Sequence, residues 1–330
     1  MSFLVILIVL AGLLSFFLTG IVRKWAIKYN VISHPSSRSI NNTKTPQGGG
    51  LAIIIVWYLG ILLLFLKGIV AADLFYALLC GLVLAVVSLI DDVVDLNPLL
   101  RLIIHFVVSI AAFYILGGLR KPITSGIDIL STPFLTYPLA IIGMVWFINL
   151  YNFMDGADGF ASIEAISVSL VLFISTGSFE LLLLLAAVLG FLYWNWPKAK
   201  IFLGDVGSTQ LGFILVVLGI YYHNALDFSI FNWLMITAPF WFDATLTLFR
   251  RWRNGESLGQ AHKKHIYQRY LQAGHTHLQL DMALIVINVV IFILILIYRK
   301  WDFTKIPIYL LCLVFLYWIN KKVDKMFPFV

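Results

Sequence analysis

Three aspartates that close one apolar run are the first candidates for chemistry in this sequence. Asp91, Asp92 and Asp95 occur in the segment DDVVD. On a helix, Asp95 shares a face with both other aspartates, because it follows them by four and three residues. Carboxylates at the C-terminal end of a helix face the negative end of its dipole and need compensation. The spacing suits a divalent cation or a cation-bound phosphate; the alternative is a solvated helix end.

Two further segments place aspartates beside glycines. In NLYNFMDGADG, Asn149 and Asn152 lie one helical turn apart. Asp155 and Asp158 are each followed by glycine, which allows the backbone to approach a ligand closely. In IFLGDVGS, Asp205 stands just before a predicted helix, where free N–H groups favour anions and a carboxylate with Mg²⁺ could hold a diphosphate. Each of these aspartates could instead cap the helix that follows.

The longest polar segment, residues 250–280, carries a His-x-x-His pair formed by His262 and His265. No third or fourth ligand at the usual zinc spacing accompanies the pair. Contacts to phosphate are therefore favoured over a zinc site. His275 and His277 would point to opposite sides of a helix, so both are predicted to be solvated.

Three more polar residues are candidates for contact with a substrate. Lys44 precedes Thr-Pro-Gln-Gly-Gly-Gly, which reads either as a turn that exposes its backbone or as a flexible hinge. Asp243 lies near the end of an apolar run and could pair with Arg250 or bind a ligand. Arg269 follows the His-x-x-His pair among other basic residues and could contact phosphate.

The elements that must position these residues are membrane-spanning helices. Hydrophobic residues make up 61% of the 330 residues and charged residues 12%, with a mean hydropathy of +0.96. Soluble proteins carry about a quarter charged residues, so a soluble enzyme, a secreted disulfide scaffold and a disordered regulator are excluded. Spanning helices need about 20 apolar residues. We predict an all-α, single-domain polytopic bundle (1–330) with about eleven spans, near 3–22, 48–66, 74–90, 102–118, 134–151, 160–176, 180–196, 206–222, 231–249, 281–298 and 306–319.

The distribution of lysine and arginine predicts how the chain is oriented. With the N-terminus outside, 17 of the 23 basic residues fall on the cytoplasmic side, where such residues are in excess. The C-terminus is then cytoplasmic. All the polar segments described above fall on this same side, which predicts one active site at the cytoplasmic face. Topology and anionic lipid explain the net charge of +7, so no nucleic-acid partner is expected.

Four motifs together, DDVVD, NLYNFMDGADG, IFLGDVGS and the His-x-x-His loop, resemble those of the polyprenyl-phosphate N-acetylhexosamine-1-phosphate transferases in order and spacing. The resemblance covers the chain from the first loop to about residue 280. It implies an enzyme of the bacterial inner membrane that transfers a sugar 1-phosphate from a UDP-N-acetylhexosamine to undecaprenyl phosphate and releases UMP. It also implies Mg²⁺, with Mn²⁺ as an alternative ion, and it is compatible with a homodimer.

The residues and the resemblance together predict three groups of site residues. The catalytic candidates are Asp91, Asp92, Asp155, Asp158, His262 and His265. The substrate-binding candidates are Asn149, Asn152, Asp95, Asp243, Lys44 and Arg269. The metal-binding candidates are Asp205 and Asp92.

Two departures from the family pattern concern the substrate. The segment AHKKHIYQR replaces the three-histidine run of the muramoyl-pentapeptide enzymes, which favours a role in starting O-antigen or another surface glycan. Gln47 stands where related sequences often have arginine.

Two other classes of protein remain as alternatives. An intramembrane prenyltransferase would need a second Asp-rich helix motif, and a lipid or solute transporter should carry ionisable groups near the bilayer midplane. For the transferase itself, direct attack by the lipid phosphate and a phospho-aspartate intermediate are both open.

Overall fold

The computed structural model describes residues 2–33, 44–94, 96–120, 132–226, 228–260, 262–300 and 305–329. Two short antiparallel strands, β1 (Ile32–Ser33) and β2 (Thr45–Pro46), flank the first loop. The other elements in these ranges are helices with the following bounds: α1 (Ser2–Lys28), α2 (Gly50–Leu66), α3 (Ala72–Leu79), α4 (Gly81–Val94), α5 (Pro98–Ile115), α6 (Pro133–Met154), α7 (Phe160–Thr176), α8 (Phe179–Asn195), α9 (Asp205–Ala225), α10 (Ile230–Ile236), α11 (Ala238–Arg253), α12 (Ile266–Gln272), α13 (His277–Lys300) and α14 (Lys305–Met326). The all-α prediction is confirmed.

Helix lengths agree with a multi-pass membrane protein. Within the described ranges, seven helical stretches are long and apolar enough to cross a bilayer, one of which is formed by α3 and α4 together. Three more, α2, α7 and α8, are apolar but have 17 residues each. The ninth predicted span is divided between α10 and α11. Multi-pass architecture is therefore supported, while the count of eleven spans and the orientation stay predictions.

The third predicted span is interrupted at Cys80, between the end of α3 and the beginning of α4. The side-chain amide of Gln210 donates to the carbonyl of Gly81. Tyr58 Oη lies 2.9 Å from the carbonyl oxygen of Leu78 and 3.1 Å from Gln210 Oε1. Backbone groups freed inside a membrane must find partners within the protein. Side chains from α2 and α9 provide them here.

Helix α9 is the centre of the bundle. Of its 18 most apolar consecutive residues, 94% are buried, whereas 17% are buried in the corresponding stretch of α1. Its first turn packs closely on α2, since a Cβ at Gly50 would lie 2.2 Å from Gly207 Cα. Only glycine permits this approach. The N-terminus of α9, which begins with Asp205, is thereby held at the end of the bundle where α2 begins.

Thiol labelling tests the predicted orientation. In a background with Cys80→Ser and Cys312→Ala, we expect Gly259→Cys to react with a membrane-impermeant maleimide only from the cytoplasmic side. Lys67→Cys should react only from outside, because the basic excess places the loop after α2 there. Both positions are exposed, and a Cβ at Gly259 meets nothing within 4 Å. The reverse labelling pattern would contradict the orientation.

Candidate active site

Arg101 on α5 joins two of the predicted site aspartates. Its Nη1 donates to Asp91 Oδ2 and lies 3.7 Å from Asp205 Oδ2. Asp91 is buried, and its Oδ1 accepts from the backbone N–H of Leu96 at 2.8 Å. Asn97 caps α5. Arg101 thus supplies part of the positive charge that carboxylates at the end of α4 require, although no motif in the sequence marks it as a site residue.

Side-chain hydrogen bonds tie α4 and α6 to the first turn of α9. The Asn152 amide donates to Ser208 Oγ at 2.9 Å. Ser88 Oγ and Thr209 Oγ1 are 3.0 Å apart. Ser208 and Thr209 follow Asp205 within one turn. The segments DDVVD, NLYNFMDGADG and IFLGDVGS, which are remote in sequence, therefore meet at one end of the bundle.

Asp155, the first residue after α6, lies among like charges. Burial, and then repulsion by Asp205 and Asp158, raise the pKa of Asp155 well above its usual range. A divalent cation beside these carboxylates would reverse the effect of the repulsion. The three carboxylates therefore give this end of the bundle a negative potential.

Asp158 fixes the turn between α6 and α7. Its Oδ2 accepts from the backbone N–H of Ala199 at 3.1 Å, and its own N–H donates to His277 Nδ1 at 3.0 Å. The N–H of Gly159, at φ 75°, donates to Asn195 Oδ1 at 3.0 Å. The prediction that His277 is solvated is wrong, because α13 begins against this turn. A catalytic role for Asp158 stays a prediction beside this structural one.

The His-x-x-His pair lies in the loop before α12. The rings of His262 and His265 are 4.8 Å apart between centroids. Burial, and then the charges of His265 and Arg251, lower the pKa of His262 to about 4. In the absence of a bound anion His262 is therefore neutral near pH 7. His265 is buried, with Nδ1 3.4 Å from Asp243 Oδ1.

Helix α12 places this pair next to the NLYNFMDGADG turn. Tyr267 Oη donates to the carbonyl of Phe153 at 3.2 Å, and its ring stacks on Phe160 at 5.1 Å. Asp243 accepts from the N–H groups of Ile266 at 2.8 Å and Tyr267 at 3.1 Å. Its carboxylate thus caps α12, a role that differs from both predictions for Asp243, a pair with Arg250 or a ligand contact. A substrate contact for Asp243 stays a prediction.

The first loop enters α2 as a bonded turn. The N–H groups of Gly49 and Gly50 each donate at 2.9 Å, to the carbonyls of Phe202 and Leu203. Phe202 in turn donates to the carbonyl of Pro46 at 2.8 Å. These bonds support the turn reading over the flexible hinge. They also bring the loop against IFLGDVGS.

The other predicted site residues have varied positions. Lys44 is exposed at the start of the segment that leads to β2. Asn149 donates to the carbonyl of Val145 at 2.7 Å within α6. Arg269 is buried and bonded within the protein. Asp92 belongs to α4, but its side chain lies outside the described part, and Asp95 lies outside the described residues altogether.

The described carboxylates do not by themselves form a complete metal site. Among the described residues, no three His, Cys, Asp or Glu side chains form a group that could hold an ion. Mg²⁺ is commonly bound by one or two carboxylates together with phosphates and water. Asp205 fits such a site. Its side chain is 42% exposed, shares Arg101 with Asp91 and interacts electrostatically with Asp155. Its helix-cap alternative is not supported, since the N-cap of α9 is Gly204.

Comparison with known proteins agrees with this arrangement. Residues 74–223, which contain DDVVD, NLYNFMDGADG and IFLGDVGS, match the family model described as Glycosyl transferase family 4. The "Probable undecaprenyl-phosphate N-acetylglucosaminyl 1-phosphate transferase" of Bacillus subtilis (strain 168) is 32% identical over 296 residues, covering 84% of this chain and 78% of that protein.

Two further relatives have related names. The decaprenyl-phosphate N-acetylglucosaminephosphotransferase of Mycolicibacterium smegmatis is 30% identical over 313 residues, 81% of this chain and 75% of that protein. The undecaprenyl-phosphate alpha-N-acetylglucosaminyl 1-phosphate transferase of Thermotoga maritima is 27% identical over 265 residues, 78% of this chain and 80% of that protein. The motifs, their meeting point and these likenesses agree: the chain is a membrane enzyme that belongs to glycosyl transferase family 4, the polyprenyl-phosphate N-acetylhexosamine-1-phosphate transferases.

Proposed function

We propose that this chain transfers N-acetylhexosamine 1-phosphate from a UDP-sugar to undecaprenyl phosphate at the cytoplasmic face of the bacterial inner membrane, with Mg²⁺, and releases UMP. The observation that best supports this function is that Arg101 pairs with both Asp91 and Asp205, while the charge of Asp205 acts on Asp155. The names of the relatives favour UDP-N-acetylglucosamine as the donor. The product would start an O-antigen or another cell-envelope glycan.

The charges of the site suit this reaction. Attack of one phosphate on a diphosphate gathers several negative charges, so most of the catalysis is positioning and neutralisation. Arg101 provides a fixed positive charge between α4 and α9. Asp205 and Asp92 would hold the Mg²⁺, which neutralises phosphate oxygens when bound. His262 would contribute a hydrogen bond to phosphate.

The bond changes follow from the substrates. An oxygen of the lipid phosphate attacks the phosphorus that carries the sugar, and the bond from that phosphorus to the bridging oxygen breaks, so that UMP leaves. A monoester phosphate has a second pKa of about 6 and is largely dianionic near pH 7. Little help from a general base is then needed at that pH. We therefore propose direct attack over a phospho-aspartate intermediate.

UMP release is the measurement that tests this function. Purified enzyme in detergent should form lipid-linked sugar and UMP in equal amounts from UDP-N-acetylglucosamine, undecaprenyl phosphate and Mg²⁺. UDP-N-acetylgalactosamine is tested in parallel as the comparison donor, and a reaction without the lipid is the control. A prenyltransferase or transporter would release no UMP under these conditions. A stoichiometric burst of UMP without lipid would contradict direct attack.

A further inference from the structure

A partly buried ion-pair cluster joins α11, α12 and α14. Arg269 is 1% exposed; its Nη1 donates to Asp324 Oδ1 at 2.5 Å and its Nη2 to Asn320 Oδ1 at 2.8 Å. Arg250 of α11 donates to the same Asp324 oxygen at 2.9 Å. The ring of Phe329 covers the cluster, 3.9 Å from the Arg250 guanidinium.

Helix α12 depends on such contacts for its position. It has seven residues, and an isolated helix of that length is not stable in water. Asp243 holds its first turn. Besides its bonds to α14, Arg269 donates through Nε to the carbonyl of Lys264 at 3.1 Å, so the same guanidinium also holds the segment that follows His262.

Asp324 balances two cations in this cluster. Arg250 and Arg269 both bond to one of its oxygens. Its side chain is 17% exposed, so solvent screens the pairs weakly. Loss of one partner of a buried ion pair leaves uncompensated charge, which is far more costly than loss of an exposed pair. Without Asp324, two neighbouring arginines would repel each other across α11 and α12.

We propose that Asp324 is a positioning residue for the transfer reaction. By holding Arg250 and Arg269 together, it fixes α12 and thereby places His265 and Tyr267 against the turn that carries Asp155. Tyr267 transmits this position directly, through its hydrogen bond to Phe153. The inference rests on the proposed function for its assay, but Asp324 and the two arginines that it holds lie outside residues 74–223, which match the family model.

The test uses single-turnover UMP release with enzyme in saturating excess over UDP-N-acetylglucosamine. Under that condition the rate constant does not depend on the fraction of active enzyme. We expect Asp324→Asn to lower this constant about 10- to 100-fold, because small displacements of reacting groups carry costs of this size. Adding Arg250→Gln to Asp324→Asn should restore most of the rate, since it removes the repulsion on Arg269.

A matched control separates positioning from stability. Glu180→Gln weakens the buried bond from Tyr222 Oη to Glu180 Oε1, 2.7 Å long, at the opposite end of the bundle. It should lower the Tm and leave the single-turnover constant unchanged. If Asp324→Asn cannot be purified, Asp324→Glu, which keeps the charge but lengthens the side chain, should still lower the constant.

Two results would each overturn the proposal. The first is a wild-type rate constant in Asp324→Asn, or in Asp324→Glu if only that variant folds. The second is a double variant whose rate constant does not recover. Failure of the wild-type chain to release UMP would instead contradict the proposed function. The two failures are therefore distinguishable.

Discussion

Asp205→Asn is expected to reduce UMP release about 10²- to 10³-fold, the range seen when one preorganised electrostatic contact to a transition state is removed. Asparagine keeps the size of the side chain and removes the charge that would hold Mg²⁺. The Tm should change little, because the side chain of Asp205 is 42% exposed and Gly204 occupies the N-cap of α9. Activity measured across a Mg²⁺ titration is the check, and retained activity would show that Asp205 binds no essential ion.

A thermal-shift titration gives a second readout that needs no turnover. The raised pKa of Asp155 means that protons compete with a cation for this group of carboxylates. Deprotonation becomes more complete as pH rises, so added Mg²⁺ with UDP should raise the Tm more at pH 8 than at pH 5.5. Asp205→Asn should abolish this difference. Glu180→Gln, far from the site, should retain it.

Asp91→Asn is expected to lower activity about 10- to 100-fold by nearly the same factor from pH 5.5 to pH 8.5. Asp91 is buried, and its two oxygens accept from Arg101 and from the N–H of Leu96. These bonds suit a residue that holds Arg101 in place, and misplacement of such a group costs a factor of this order. UMP release measured across this pH range is the check.

If Asp91 acts as a general base, the loss of activity in Asp91→Asn should depend on pH. Below the second pKa of the acceptor phosphate, about 6, a base would be needed to form the dianion; above it the dianion forms unaided. An Asp91→Asn loss that shrinks as pH rises would therefore identify Asp91 as the base and contradict the structural role. Asp92→Asn, measured in parallel, tests the neighbouring aspartate in the same way.

Local patterns in the chain were sufficient to predict the class of fold. Long apolar stretches predict helices because bilayer thickness imposes a minimum length, and this holds for any arrangement of the helices. Alternation of spans also predicted that DDVVD, NLYNFMDGADG and IFLGDVGS would emerge on one side. The bond between Asn152 and Ser208 and the pairing of Arg101 with Asp91 and Asp205 confirm that these segments meet at one end.

Sequence spacing alone did not reveal the partners of individual side chains. The sequence predicts that Asp243 pairs with Arg250 or binds a ligand, whereas it caps α12 and Arg250 pairs with Asp324. It also predicts that His277 is solvated, whereas this residue accepts from the N–H of Asp158. Each of these contacts joins elements that are 23 or more residues apart in the chain.

The composition and motifs of this chain by themselves determined a helical membrane enzyme and its family, and they predict which aspartates form its site. Those properties depend on apolar length and on short motifs, which are read within a few residues. Only the tertiary structure decided that Arg101 bridges two aspartates, that α3 and α4 are separate helices, and that Asp324 pairs with Arg269 of α12. Contacts of this kind depend on how remote helices pack and turn against one another, so no local pattern encodes them.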